Sequence, residues 1–217
     1  ASGPADFAAG DDTSAGGVAA TAIGWANIAS GDYSVALGSN ARALARGSFI
    51  YSDAASESPV FALPNQFVVR SSGGARFYSN AAMTTGVALA ANASAWSSLS
   101  DANQKENFKD LDGGTVLAKI AEMPIREWNY KAQDAAIRHA GPTAQDFHAA
   151  FGLGEDPLRI STIDADGIAL AAIKALEART RGADDALARE NTALEAEVAA
   201  LKAELTALRD TLQRLEG

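Results

Sequence analysis

The chain contains no cysteine, which excludes a disulfide framework and a thiolate metal site and leaves the redox compartment open. Histidine is almost as scarce: His139 and His148 are the only two, too few for a histidine-rich metal centre. No cofactor is expected. No apolar run approaches the roughly 20 residues that a membrane-spanning helix needs, so membrane insertion is not expected. Positive charge is in deficit, with 18 Lys and Arg against 27 Asp and Glu and a net charge of −9. Without a basic patch, nucleic acid is not an expected partner. The opening Ala1-Ser2-Gly3-Pro4 has neither the basic region nor the apolar stretch of a signal peptide. We read the chain as a fragment that carries none.

What is present divides into four segments. Residues 1–99 hold 4 basic and 6 acidic side chains, and residues 100–217 hold 14 and 21. Over residues 1–56 the dominant signal is an internal repeat. Ala20-Thr21-Ala22-Ile23-Gly24 recurs as Ser34-Val35-Ala36-Leu37-Gly38 and again as Ser48-Phe49-Ile50-Tyr51-Ser52, with a period of 14, and Gly17 and Gly31 keep the same spacing. A short fixed period means one small unit stacked on copies of itself, none of which can bury its apolar face alone. The third copy exchanges Gly for Ser and gains aromatics, as a terminal capping copy would. The pattern resembles the head repeats of trimeric autotransporter adhesins, which also occur in phage fibres. The resemblance implies a left-handed β-roll in each chain and three rolls packed together.

Residues 57–99 alternate short apolar runs with turns, as in Phe67-Val68-Val69-Arg70 followed by Ser71-Ser72-Gly73-Gly74. This reads as a stranded fibre or stalk segment, a hairpin or a coil of strands. Its large side chains are too few for a core of its own, and sister chains are the simplest cover for them.

Residues 100–165 read as a compact α+β domain. Val116, Leu117, Ile120 and Ala121 have helical spacing before Pro124. Ile125–Tyr130 alternates like a strand, and Thr143–Phe151 is a helix closed by Gly152,. From Asp166 to Gly217 the sequence is helical. Leu187, Asn191, Leu194, Val198, Leu201, Leu205, Leu208, Leu212 and Leu215 alternate spacings of four and three, the heptad of a coiled coil. Glu177, Thr180 and Asp184 fall on the extrapolated seam with Gly182 among them, so a break is expected near Thr180–Asp185. Asn191 in the seam favours a dimer, whereas the upstream repeats favour a homotrimer. The expected fold is therefore multi-domain, β then α+β: a trimeric β-roll or β-prism fibre segment, an α+β domain and a C-terminal helical coiled coil.

At the junction stands Ser100-Asp101-Ala102-Asn103-Gln104-Lys105-Glu106-Asn107. A serine attacks a peptide carbonyl when a base takes its proton, and a lysine serves if its amine is neutral. Ser100 would attack the carbonyl of Leu99 with Lys105 as base. In one helix these two residues would stand about 140° apart, so Ser100 must lie at or before the helix start and Lys105 must fold back. Ser100 and Asp101 are good N-cap residues for such a helix. Ser-Asp before a helix is otherwise an ordinary cap, and the lysine an ordinary solvated charge.

Ser100-Asp101…Lys105-x-Asn107 resembles the start of the self-cleaving intramolecular chaperone domain of endosialidase tailspikes and other phage fibres. Two further motifs, His139-x-Gly141-Pro142-x-Ala144-Gln145-Asp146-Phe147 and Ile160–Leu170, follow in the family's order. The resemblance implies that the domain trimerises at the end of a fibre, helps the β-structure before it to fold, and cuts itself off. It implies Ser100 as nucleophile and Lys105 as general base, with Asp101, Asn107 and His139 as candidate supporting residues and cleavage between Leu99 and Ser100. Leu99 is bulkier than the small residue expected before such a bond. The implied setting is a phage tail or a bacterial surface adhesin. The alternatives are a trimeric tip that never cuts and a receptor- or glycan-binding tip in which Trp25 and Tyr33 stack on sugar.

Overall fold

Nine short strands wind through residues 7–70 of the computed structural model, which describes residues 1–216. They are β1 (Phe7–Asp11), β2 (Ser14–Ala15), β3 (Thr21–Trp25), β4 (Ile28–Ala29), β5 (Val35–Ser39), β6 (Ala41–Ala43), β7 (Phe49–Ser52), β8 (Val60–Phe61) and β9 (Phe67–Arg70). Odd-numbered strands pair in parallel into one sheet and even-numbered strands into another. Each coil contributes one strand to each face of a β-solenoid. From β1 to β7 the partners stand 14 residues apart, as in Ala8↔Ala22↔Ala36↔Ile50.

The period persists because small residues let the coils stack. Gly10, Gly24 and Gly38 all have positive φ, and a Cβ on Gly24 would sit 2.0 Å from the Gly38 carbonyl oxygen. Between the sheets the core is Ala15, Ala20, Ala22, Ala29, Ala36, Ala41, Ala43 and Ile50, all buried. A buried alanine methyl contributes on the order of 1 kcal/mol or less, so this core is thin. Strand alternation sends the larger side chains outward, and Phe7, Ile23, Trp25, Tyr51, Phe67 and Val69 are exposed on the odd-strand sheet. One buried polar group is fully used: the Asn27 amide donates to the carbonyls of Ile23 (2.7 Å) and Gly38 (2.8 Å) and accepts the Ala41 N–H (2.8 Å).

A polar clasp fastens the last coil. The Asp53 carboxylate accepts the N–H and O–H of Ser72 (2.5 and 2.6 Å), the Ala55 N–H (3.4 Å) and Arg70 Nε (3.2 Å). Arg70 also donates to the carbonyls of Asp53, Ser56 and Ser58. The Ser72 hydrogen bonds, its side chain first, pull the Asp53 carboxyl from its usual 3.8 down to about 2. An antiparallel sheet follows in the order β10 (Gly74–Tyr78), β11 (Gly86–Ala90), β12 (Ser97–Ser98). These strands close the first compact unit, which ends at Glu106.

The second unit begins at Asn107. It holds α1 (Gly113–Glu122), the antiparallel pair β13 (Arg126–Trp128) and β14 (His139–Gly141), α2 (Ala144–Phe151) and α3 (Thr162–Glu216). Thr143 caps α2 by accepting the Asp146 N–H (3.1 Å), while the Asp146 carboxylate accepts the Thr143 hydroxyl (2.7 Å). The helix stops at Gly152, in the left-handed region at φ 64°,. Val116, Phe147 and Ile168 form the buried centre where α1, α2 and α3 meet. Beyond it α3 runs on with Leu187, Leu194, Val198, Leu201, Leu205, Leu208, Leu212 and Leu215 exposed.

Four expectations change. The third repeat copy is not terminal, because β9 pairs beyond β7 at a spacing of 18, as in Phe49↔Phe67. Four inserted residues hide this coil from a period search, and it crosses the boundary drawn at residue 56. Phe67–Arg70 is a solenoid rung, the coil of the two arrangements expected there. The final helix starts at Thr162 rather than Asp166, and it passes Thr180–Asp185 without a break. One helical glycine costs about 1 kcal/mol relative to alanine. The Arg181–Glu177 ion pair and good helix formers around Gly182 carry the helix through.

Gly24→Ala should destabilise the solenoid by roughly 3 kcal/mol or more, since positive φ and a backbone overlap act together; thermal melting followed by circular dichroism measures it. The clasp gives a second expectation. A carboxylate with a lowered pKa stabilises the fold above its unfolded value and loses that contribution as pH falls through about 2,. The melting temperature should therefore drop between about pH 4 and pH 2, and Asp53→Asn should flatten that part of the profile.

Candidate active site

The site is built at the edge of the three-stranded sheet. Val87↔Ser98 and Ala88↔Ser97 pair β11 with β12, and the Leu99 N–H extends the ladder by donating to the Gly86 carbonyl at 3.0 Å. Ser100 comes next, outside the strand. Asp101 caps a single 3₁₀ turn, Ala102–Gln104, and its carboxylate accepts the Asn103 N–H and side-chain amide, both at 2.9 Å. Lys105 closes the turn through its N–H to the Ala102 carbonyl and is itself extended, at φ −123° and ψ 151°. Its side chain thereby returns along the turn, and Nζ donates to Ser100 Oγ at 2.6 Å.

The α-helix expected after Asp101 is thus one 3₁₀ turn. A full helix would send residues 100 and 105 to different faces, whereas a three-residue turn followed by extended backbone brings their tips together. Ser100 and Lys105 are both exposed, as is Leu99. A hydroxyl within 2.6 Å of an amine can pass its proton to that amine when the amine is neutral.

The Asp101 carboxylate is used by the turn. Asn107 is the first residue of the second unit, exposed, with φ +56°. His139 sits on β14 opposite Trp128, where Nε2 lies 2.9 Å from Gln133 Oε1. Its ring packs against Trp128 and Tyr130, with centroids 4.8 and 5.5 Å away. In its own unit it is part of an aromatic cluster that holds the β13–β14 pair. Among the described residues no group of three or more His, Asp and Glu could hold a metal ion.

Residues 100–152 match the family model described as chaperone of endosialidase. That family is one of self-cleaving, serine-peptidase-type chaperone domains. The match begins at Ser100 and runs to the glycine that stops α2. Residues 15–41 match two copies of the YadA head domain repeat, covering the solenoid from the end of β2 to the start of β6. No curated protein and no solved structure matches the chain. A segment that matches chaperone of endosialidase thus follows a β-solenoid in one chain.

Sequence reasoning passed over Gly86 and Gln133. Gly86 heads the apolar run Gly86-Val87-Ala88-Leu89, and that position is the only sequence sign of a backbone contact. Gln133 carries no signal. Asp101→Ala should remove the turn's cap at a cost of about 1 kcal/mol. Amide exchange at Asn103, read by NMR, should accelerate roughly fivefold.

Proposed function

We propose that the chain is the end of a tail fibre, tailspike or surface adhesin whose chaperone domain trimerises, folds the β-structure before it and then releases itself. The carrying observation is the 2.6 Å contact between Lys105 Nζ and Ser100 Oγ at the first residue of the chaperone match.

The chemistry balances with the groups present. Neutral Lys105 takes the Ser100 hydroxyl proton as Oγ adds to the Leu99 carbonyl through a five-membered ring. The Leu99–Ser100 C–N bond breaks, the amide nitrogen takes the proton, and Leu99 becomes esterified to Oγ. Water then hydrolyses the ester, leaving a carboxylate on Leu99 and a free amine and hydroxyl on Ser100. The amine loses its charge more readily out of water. Packing of further copies around this exposed segment would supply that desolvation.

Assembly rests on two uncovered faces. On α3 the exposed leucines fall on the a and d positions of a heptad, which pack as knobs into holes in a coiled coil. On the solenoid the exposed apolar face of the odd-strand sheet suits the trimeric, adhesin-like assembly that the YadA head repeats suggest. Chains that share a core expose apolar surface until they register, and non-local pairing is slow and aggregation-prone. A C-terminal module raises the effective concentration of the chains. Removing it afterwards makes the product's stability kinetic. The corresponding setting is a virion tail or a cell surface, with a host-surface receptor or glycan as candidate ligand. No helix among the described residues is long and apolar enough to cross a membrane.

The exposure of both Ser100 and Lys105 favours a second reading, a permanent trimeric tip that never cuts. Denaturing mass spectrometry separates the two. Self-cleavage yields fragments 1–99 and 100–217, and Ser100→Ala or Lys105→Ala leaves one intact chain. A single intact wild-type band on a trimer supports the permanent tip. A fragment ending at Ser100 rules out the Leu99 carbonyl as the group attacked.

A further inference from the structure

The cleavage reading assigns the nucleophile and its base but says nothing of what holds the carbonyl they attack. Leu99 lies one residue beyond β12, and a carbonyl on a free chain would sample many orientations relative to Ser100 Oγ. In this structure the residue is tied. Its N–H donates to the Gly86 carbonyl at 3.0 Å, continuing the register Ala88↔Ser97 and Val87↔Ser98. The Ser97 hydroxyl donates to the Ala88 carbonyl (3.1 Å), and Trp96 packs on Phe77 of β10 with ring centroids 5.5 Å apart. Everything that fixes the acyl side of the bond therefore belongs to the fibre sheet.

Resting on that reading, we propose that Gly86 is a positioning residue for self-cleavage: its carbonyl anchors the Leu99 amide and so presents the Leu99 carbonyl to Ser100. The requirement for glycine is steric. Gly86 stands at φ +150°, and a Cβ would meet the Phe77 carbonyl oxygen at 2.1 Å and Tyr78 Cα at 2.9 Å. Any side chain there forces β10 and β11 apart at the end where Leu99 docks. Holding the reacting atoms in one geometry is worth orders of magnitude in rate. The same anchor makes cutting conditional on the sheet: until β12 pairs with β11, the bond has no fixed position beside the serine. The chain thus carries its own check that the fibre end has folded.

The test uses the full chain. Replacing Leu99 by its α-hydroxy analogue turns the Ser98–Leu99 amide into an ester and deletes the single N–H that Gly86 accepts, leaving every side chain and the attacked carbonyl in place. Self-cleavage should slow at least tenfold, and Gly86→Ala should slow it as much. In a Ser100→Ala background, Gly86→Ala should raise amide exchange at Leu99 at least tenfold. Trp96→Ala should slow cleavage more weakly, and Trp96→Phe should restore the rate. The ester variant decides the matter if Gly86→Ala does not fold. A wild type that cuts while the ester variant cuts at the same rate overturns the proposal and leaves the cleavage reading standing. A wild type that never cuts overturns both.

Discussion

Backbone stacking at 14-residue intervals is the constraint on which the first unit depends. Where Gly24 lies over Gly38 there is no room for a side-chain carbon, and Ala22, Ala36 and Ile50 follow one another in a buried column. Strand alternation sends Trp25, Tyr51 and Phe67 outward,. A solenoid with a thin alanine core and aromatics outside has reversed the usual economy of a globular domain, in which the largest apolar side chains lie within. Its apolar surface becomes useful only against another surface.

The second unit divides the same work differently. Val116, Phe147 and Ile168 give it a small interior of ordinary kind. Its helix α3 then continues for 55 residues in all, about 80 Å, far beyond the elements that pack on it. A helix of that length with leucine at a and d gains most of its stability from packing its apolar face. Both units thus carry their largest apolar features on faces that one chain leaves uncovered, which is why assembly and folding are joined in the function proposed for them.

The contacts described for the candidate site lie within the first unit. Ser100, the turn capped by Asp101, Lys105, and the sheet that holds Leu99 all precede Asn107. The motif residues did not behave alike. Ser100 and Lys105 touch, Asp101 is consumed by the turn, and His139 is packed among Trp128, Tyr130 and Gln133. A motif records that residues occur together. It does not record which of them share a hydrogen bond.

How much was legible follows from how local each determinant is. The period of three coils, those of β3, β5 and β7, could be read because glycine, alanine and serine recur at fixed offsets, and the helix at Thr143–Phe151 because its cap and stop lie at its own ends. The fifth coil escaped because four inserted residues broke the offset while leaving the pairing intact. The continuity of α3 past Gly182 escaped because one unfavourable residue is outweighed by its neighbours. By itself the sequence determined the repeat, the heptad and the Ser-Lys spacing, all of which are local patterns of residue type. Only the tertiary structure decided that residues 100 and 105 meet, because that depends on a three-residue turn and an extended Lys105. It alone also decided that Leu99 is held by Gly86, a backbone bond between residues 13 apart in the chain that side-chain identity does not encode.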